Sequence, residues 1–311
     1  MRFGQVDVIP VGGEGPEDVV VDEGGRIYTG LADGRILRIS PAGDRIETIA
    51  DTGGRPLGCE FYGDDELLVC DARAGLLAVG LTDGAVRTLA TEALGLPFVF
   101  CNNAAVAADG TIYFTDSSRR FPIDKWRDDL IEQSAGGRLL RRHPDGTIDQ
   151  LADGLQFANG VALARNGTDG TDEFVAVAET GSSRVRRVWL TGERAGELDT
   201  LADGLPGYPD NISTGSDGLV WVTQFAPRVP MLDFVRRLPP VLRLVARKMP
   251  EALQPAPSRT VGVLGIDGSG KIVHDLSGEI AGFRSLTGVR ERDGRLYFGS
   301  LHTHAIAITT L

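Results

Sequence analysis

The chain predicts an all-β fold, a six-bladed β-propeller, and three observations carry that reading. One unit recurs: an apolar run, a Gly-centred turn, then a β-rich run ending in a small or polar residue. Further short strands follow the copies, giving about four strands per unit with Gly-rich turns, which is the signature of propeller blades. A spare strand precedes the first copy, and the last copy stops one strand short of a blade.

The unit spans residues 19–30 in the first copy and 105–116 in the third, where Asp109-Gly110 makes the turn. It returns at 212–224 with Asp217-Gly218 and at 289–300 with Asp293-Gly294. Six copies begin near Glu17, Gly58, Asn102, Asn159, Asp210 and Thr287. The second and fourth are degenerate: Asp64-Asp65 replaces the Asp-Gly turn in one, and residues 166–172 lengthen it in the other. Third strands are expected at 34–39 and 137–142, fourth strands at 45–50 and 147–152. After a last strand at 305–310 the chain ends, and residues 5–9, in which Val6 and Val8 alternate, offer the missing partner. Pairing the two closes the ring and removes two exposed sheet edges. Residues 1–311 are then one domain with two insertions, 117–136 and 225–259.

Both insertions follow the second strand of a blade, the third and the fifth. In an up-and-down sheet the end of strand two returns to the face where strand one begins, so both insertions belong on one face. Within the second, residues 231–248 read as two short amphipathic helices broken by Pro239-Pro240. Phe234, Val235, Leu238, Leu242 and Val245 give them an apolar side; Arg236, Arg237, Arg243, Arg247 and Lys248 give a basic one. A basic amphipathic helix can lie on anionic lipid. The preferred reading is a lid whose apolar side packs over the propeller mouth, because an acidic protein is repelled by anionic lipid.

A net charge of −11 argues against nucleic acid as a partner. No basic leader with an apolar stretch opens the chain and no run of ~20 apolar residues occurs, so it reads as soluble and cytoplasmic. Three cysteines, Cys59, Cys70 and Cys101, without a CxxC spacing read as reduced, buried thiols.

Equivalent positions of four copies carry oxygen donors: Glu17, Asn102, Asn159 and Asp210. In a radial repeat such positions converge, which makes them a candidate metal site. Two carboxylates and two amides, with neither Cys nor His, suit a hard ion, and Ca²⁺ fits better than Mg²⁺. Such an ion can polarise a carbonyl as a Lewis acid, while Asp210 beside it acts as nucleophile or general base. Asp18, Asn103 and Asn211 each follow a donor; strand alternation turns them away from it, into a supporting role. His302 and His304 fall on the donor face as surface loop residues, and Asp71, Asp116 and Glu179 end second strands as turn caps.

Residues 113–118, 137–140, 157–161, 177–180 and 207–212 resemble the strictosidine-synthase-like family, in the branch of the adipocyte plasma-membrane-associated proteins. The resemblance covers residues 15–311 and extends to the wider group of calcium-dependent six-bladed propellers, gluconolactonases and paraoxonases among them. It implies one catalytic calcium on Glu17, Asn102, Asn159 and Asp210, with the residue at Asp210 also acting as nucleophile or base. Asn103 stands where an Asp is usual, which weakens a second, structural calcium. Thr287 stands where strictosidine synthases carry a catalytic Glu. The expected function is therefore calcium-dependent hydrolysis of lactones or aryl esters, acting on a small-molecule substrate. The alternatives are a Pictet–Spengler-type condensing enzyme and a non-catalytic binding propeller.

Overall fold

The computed structural model describes residues 1–166, 172–248 and 258–311. Six four-stranded antiparallel sheets follow one another in chain order as the blades of a propeller. Their innermost strands are Val20–Val21, Pro56–Tyr62, Cys101–Val106, Ala158–Asn166, Gly207–Thr214 and Leu286–Arg292. The sixth blade is completed by the N-terminal strand Val6–Pro10, antiparallel to Ala305–Thr310 with Val6 opposite Thr309 and Pro10 opposite Ala305. Closure thus joins the two ends of the chain, as the spare strand predicts. A small hairpin, Glu92–Ala93 with Leu96–Pro97, is an addition the sequence does not announce.

The core is divided among the seams between blades. Because side chains alternate across a strand, one strand feeds two seams. Val19 and Val21 pack toward the sixth blade with Tyr297 and Ile306, while Val20 packs toward the second with Leu67 and Val69. Likewise Val220 and Val222 join Phe174 and Trp189 of the fourth blade, and Trp221 joins Val289 and Phe298 of the sixth. Strands buried on both faces read as continuous apolar runs, which is what the repeat unit shows.

Two insertions rise from one face. Residues 117–136 carry α1 (Trp126–Glu132), and the second carries α2 (Pro230–Arg236) and α3 (Pro240–Arg247), each begun by a proline. Residues 249–257 of the second insertion and 167–171 of the lengthened turn lie outside the described residues. Among the described residues no helix is long and apolar enough to cross a membrane.

Candidate functional site

Five innermost strands lose register at the same place. Pairing jumps from Pro56 to Cys59, Cys101 to Ala104, Ala158 to Val161, Pro209 to Ile212, and Leu286 to Val289. Each bulge re-aims two consecutive residues. The first of the two is Leu57, Asn102, Asn159, Asp210 or Thr287, and Glu17 takes the corresponding place ahead of the first blade's short strand. All six line one cavity of about 690 Å³. The structure therefore brings Glu17, Asn102, Asn159 and Asp210 together, with Leu57 and Thr287 filling the two remaining places.

The second residue of each pair alternates around the ring between an Asx and a glycine: Asp18, Gly58, Asn103, Gly160, Asn211, Gly288. The glycines are required by proximity. A Cβ on Gly58 would sit 2.6 Å from the Asn103 Cα, and one on Gly160 2.2 Å from the Ile212 nitrogen. These second residues turn away from the cavity that the first ones line, as expected of residues that follow a donor. Asp18, Asn103 and Asn211 are buried between blades. Asp18 Oδ2 accepts from the Cys59 amide (3.1 Å) and from Asn103 Nδ2 (3.2 Å). Asn103 Oδ1 accepts from the Val161 amide at 2.9 Å, and Asn211 Nδ2 donates to Glu17 Oε2 at 2.9 Å.

Hydroxyl groups orient the two amide donors. Asn102 Nδ2 donates to Ser117 Oγ (2.9 Å), which donates to the Ala158 carbonyl (2.6 Å) just ahead of Asn159. Asn159 Nδ2 donates to Thr180 Oγ1 (3.2 Å), which donates to the Pro209 carbonyl (2.7 Å) just ahead of Asp210. Asn159 Nδ2 also donates to Asp210 Oδ1 at 2.6 Å. With both nitrogens held, Asn102 Oδ1 and Asn159 Oδ1 are left buried with no hydrogen-bond partner. Sequence reasoning missed Ser117 and Thr180, although the repeat marks them. They follow the acid that ends strand two (Asp116-Ser117, Glu179-Thr180), whereas the donorless second blade has Asp71-Ala72.

Neither carboxyl forms a salt bridge among the described residues. Burial pushes the proton affinity of Glu17 well above the usual range, and the charges of Asp210 and Asp18 add to it. Asp210 is pushed up to about 7, again chiefly by burial, with the Asn159 hydrogen bond opposing. Arg55 is near Glu17 but spends one nitrogen on the carbonyls of Gly15 and Pro56. Two buried carboxyls and two unpartnered amide oxygens are the donor chemistry of a hard divalent cation, so the residues fit calcium. Among the described residues no group of three or more His, Cys, Asp or Glu that could hold a metal ion occurs, the floor with its two carboxyls included.

Above this floor the two insertions form the walls. Trp126, Leu130 and Ile131 of the first face Leu232 and Val235 of the second. The second insertion is turned otherwise than its amphipathic pattern predicts. Phe234, Leu242 and Val245 are 63%, 48% and 66% exposed, so the apolar side does not pack over the mouth, although Val235 does reach the cavity. Arg236, Arg243 and Arg247 turn inward, while Arg237 stays exposed. Arg236 Nε donates to the Leu130 carbonyl (3.0 Å), Arg243 Nη1 to the Glu132 carbonyl (2.7 Å), and Arg247 Nη1 to Glu132 Oε1 (2.5 Å). The cause lies in α1: its last-turn carbonyls lack helical partners and its Glu132 carboxylate is buried, and both attract cations.

Asp71, Asp116 and Glu179 tie turns, as expected of strand-ending acids; Asp71 Oδ1 alone accepts from the amides of Arg55, Arg73 and Ala74. The thiols of Cys59, Cys70 and Cys101 are buried and free of disulfides. His302 edges the cavity, its proton affinity lowered by burial and then by Arg127 and Arg284 despite the opposing charge of Glu14. His304 is exposed and does not line the cavity. His274 stacks on Trp221 with ring centroids 5.3 Å apart, a structural role.

Comparison with known proteins supplies the family. The profile described as strictosidine synthase matches residues 102–193, and that described as strictosidine synthase-like, N-terminal, matches residues 2–39. Adipocyte plasma membrane-associated protein of Salmo salar is 34% identical over 93% of this chain and 74% of its own length. Strictosidine synthase-like 6 of Arabidopsis thaliana is 31% identical over 95% of this chain and 79% of its own. A gluconolactonase of Xanthomonas campestris has the same fold, with a TM-score of 0.68 at 17% identity over 100% of this chain and 91% of that one. A luciferin-regenerating enzyme gives 0.66 at 13% identity over 99% and 96%. The chain belongs to the strictosidine-synthase-like family, with the adipocyte plasma membrane-associated proteins among its relatives and the gluconolactonase-type six-bladed propeller as its fold.

Proposed function

We propose that the protein is a calcium-dependent hydrolase of lactones or aryl esters, with Asp210 as nucleophile or general base. One observation carries this reading: Asn102 Oδ1 and Asn159 Oδ1 are buried without partners beside two carboxyls that form no salt bridge among the described residues, on the floor of an open cavity. Glu17, Asn102, Asn159 and Asp210 would hold the ion. Calcium bound there would polarise the substrate carbonyl as a Lewis acid.

The chain's own groups do the rest. Asn159 Nδ2 fixes one Asp210 oxygen, and Oδ2 has no hydrogen-bond partner among the described residues. That oxygen either attacks the acyl carbon, giving an acyl-Asp210 intermediate that water later opens, or takes the proton of a water molecule that attacks instead. Asn211, through its bond to Glu17 Oε2, keeps the second carboxyl in place. A substrate seated between the aromatic and aliphatic walls would displace water, which strengthens the charge interactions at the floor.

The condensing-enzyme alternative needs an acid–base group where Thr287 stands. Its hydroxyl is donated to the Glu17 carbonyl at 2.7 Å. Purified protein assayed on phenyl acetate and a lactone panel, with calcium and with chelator, separates the readings. Calcium-dependent turnover is expected. Amine–aldehyde condensation without hydrolysis would favour the synthase, and calcium-dependent ligand binding without either reaction would favour a binding propeller.

A further inference from the structure

We propose that the cavity takes esters or lactones bearing a long alkyl or aryl portion, and that it rejects polyhydroxylated sugar lactones. The proposal rests on the hydrolase reading for its choice of a carbonyl head group, but the binding selectivity follows from the walls alone.

The walls offer little to a hydroxyl. Trp126 and Phe225 meet edge to face at 5.7 Å, and Phe100 and Phe157 do so at 5.4 Å. With Ile131 and Leu232 they make the space above the donors apolar. Thr180 donates to the Pro209 carbonyl and Thr287 to the Glu17 carbonyl, while Tyr208 accepts from the Val229 amide and Arg127 lies over the Trp126 ring at 5.1 Å. Beyond the floor, Ser285 and His302 are scattered polar groups in a lining that is otherwise mostly apolar. Arg228 is paired with Asp233 at 2.9 Å. A polyol entering here would shed water from several hydroxyls and recover few hydrogen bonds, which is the unfavourable case for polar burial. An alkyl or aryl group sheds water to its advantage. At about 690 Å³ the space suits a ligand far larger than the reacting carbonyl needs. The fold is shared with gluconolactonases, yet the wall chemistry points away from a sugar.

The test is binding, read apart from turnover. Trp126 lines the cavity, whereas Trp189 and Trp221 are buried in the blades, so ligand entry should change Trp126 fluorescence. Calcium-loaded protein is titrated with δ-lactams, which keep the carbonyl but resist hydrolysis, carrying short, medium and long alkyl chains, and with glucono-δ-lactam. Affinity should rise roughly fourfold per added methylene until the cavity is filled. Glucono-δ-lactam should give no saturable signal. Trp126→Phe removes the fluorescence change, and titration calorimetry on that variant must return the same ligand order. Affinity independent of chain length, or glucono-δ-lactam binding as tightly as the long-chain lactam, would overturn the proposal. Tight long-chain lactam binding without turnover of the matching lactone would uphold the selectivity and sink the hydrolase reading. Preferred turnover of a sugar lactone would do the reverse.

Discussion

Two layers of oxygen-bearing side chains sit one residue apart in the chain, and the protein completes them in opposite ways. Behind the floor, Asp18 and Asn103 find partners in neighbouring blades, and a cation is built in. Arg290 of the sixth blade reaches Glu60 of the second (Nη1 to Oε2, 3.1 Å), and its charge offsets part of the burial that raises Asp18 to about 6. Asn211 Oδ1 is the exception, buried without a partner. On the floor, Glu17, Asn102, Asn159 and Asp210 face the cavity, and Glu17 and Asp210 form no salt bridge among the described residues, Arg55 acting on Glu17 only through its charge. The inner layer stitches blades together. The outer layer leaves oxygen chemistry open, and what is left open is where a ligand would bind.

The largest expected effect is on the floor. Asp210→Asn keeps the size and one oxygen but removes the charge that attack or base action needs. Hydrolysis should fall roughly 10²–10⁴-fold at saturating calcium. Near-native turnover with the metal still bound, followed by calorimetry, would exclude Asp210 from the chemistry.

The inner layer should answer in stability instead. Arg290→Met leaves Glu60 and Asp18 without their counter-charge. The cost should fall near the low end of the about 3–5 kcal/mol typical of a broken buried pair, because the Arg290 side chain keeps 16% exposure. Urea unfolding measures it, and Arg290→Met/Glu60→Gln should recover part of the loss. An unchanged midpoint would mean that the inner layer does not depend on its internal cation.

A third variant tests the hydroxyl relays. Ser117→Ala frees Asn102 Nδ2, so the amide can rotate and lose its inward oxygen. Supporting bonds of this kind typically hold about 10–100-fold in metal affinity. Calcium titration should show a loss of that size, while Asp71, which is followed by Ala72 in the donorless blade, serves as the natural comparison. Unaltered affinity would show that Asn102 is oriented by packing alone.

How much of this was legible follows the same division. The ring was readable because each blade repeats one apolar rhythm, and Val6 and Val8 advertised the closing strand. The convergence of Glu17, Asn102, Asn159 and Asp210 on one cavity was readable because they fall at one repeat position. The supporting place of Asp18, Asn103 and Asn211 was readable too, because each follows a residue that faces the cavity and is itself turned away from it; which partners they bond across the blades was not, since the bulges show only in the pairing. The orientation of α2 and α3 was misread. Amphipathicity says which residues share a side, but their direction was decided by α1, whose terminal carbonyls and Glu132 attract Arg236, Arg243 and Arg247. No pattern within residues 231–248 encodes that partner.

Acidity gives the smallest effect and the clearest sign. In the metal-free protein Asp210 holds its proton up to about 7 and Glu17 is also raised, both mainly by burial. A carboxyl whose folded proton affinity is raised stabilises the fold at low pH and loses that contribution as pH rises through the folded value. Chelated protein should therefore lose melting temperature from the ordinary carboxylate range up to about pH 7, and then level off. Calcium binds the ionised carboxylates, so protons compete with it and its apparent affinity should climb over the same interval. Each proton displaced is worth at most about 1.4 kcal/mol per pH unit, less here because water enters the cavity and screens Asp210. Thermal melts at pH 5, 6, 7 and 8 with excess calcium or chelator measure both arms. The two curves should diverge as pH rises, since an ion bound only by the native state stabilises it by mass action. Curves that stay parallel would place the titrating carboxyls and the bound ion at different sites, and the contrast between the two layers would lose its outer half.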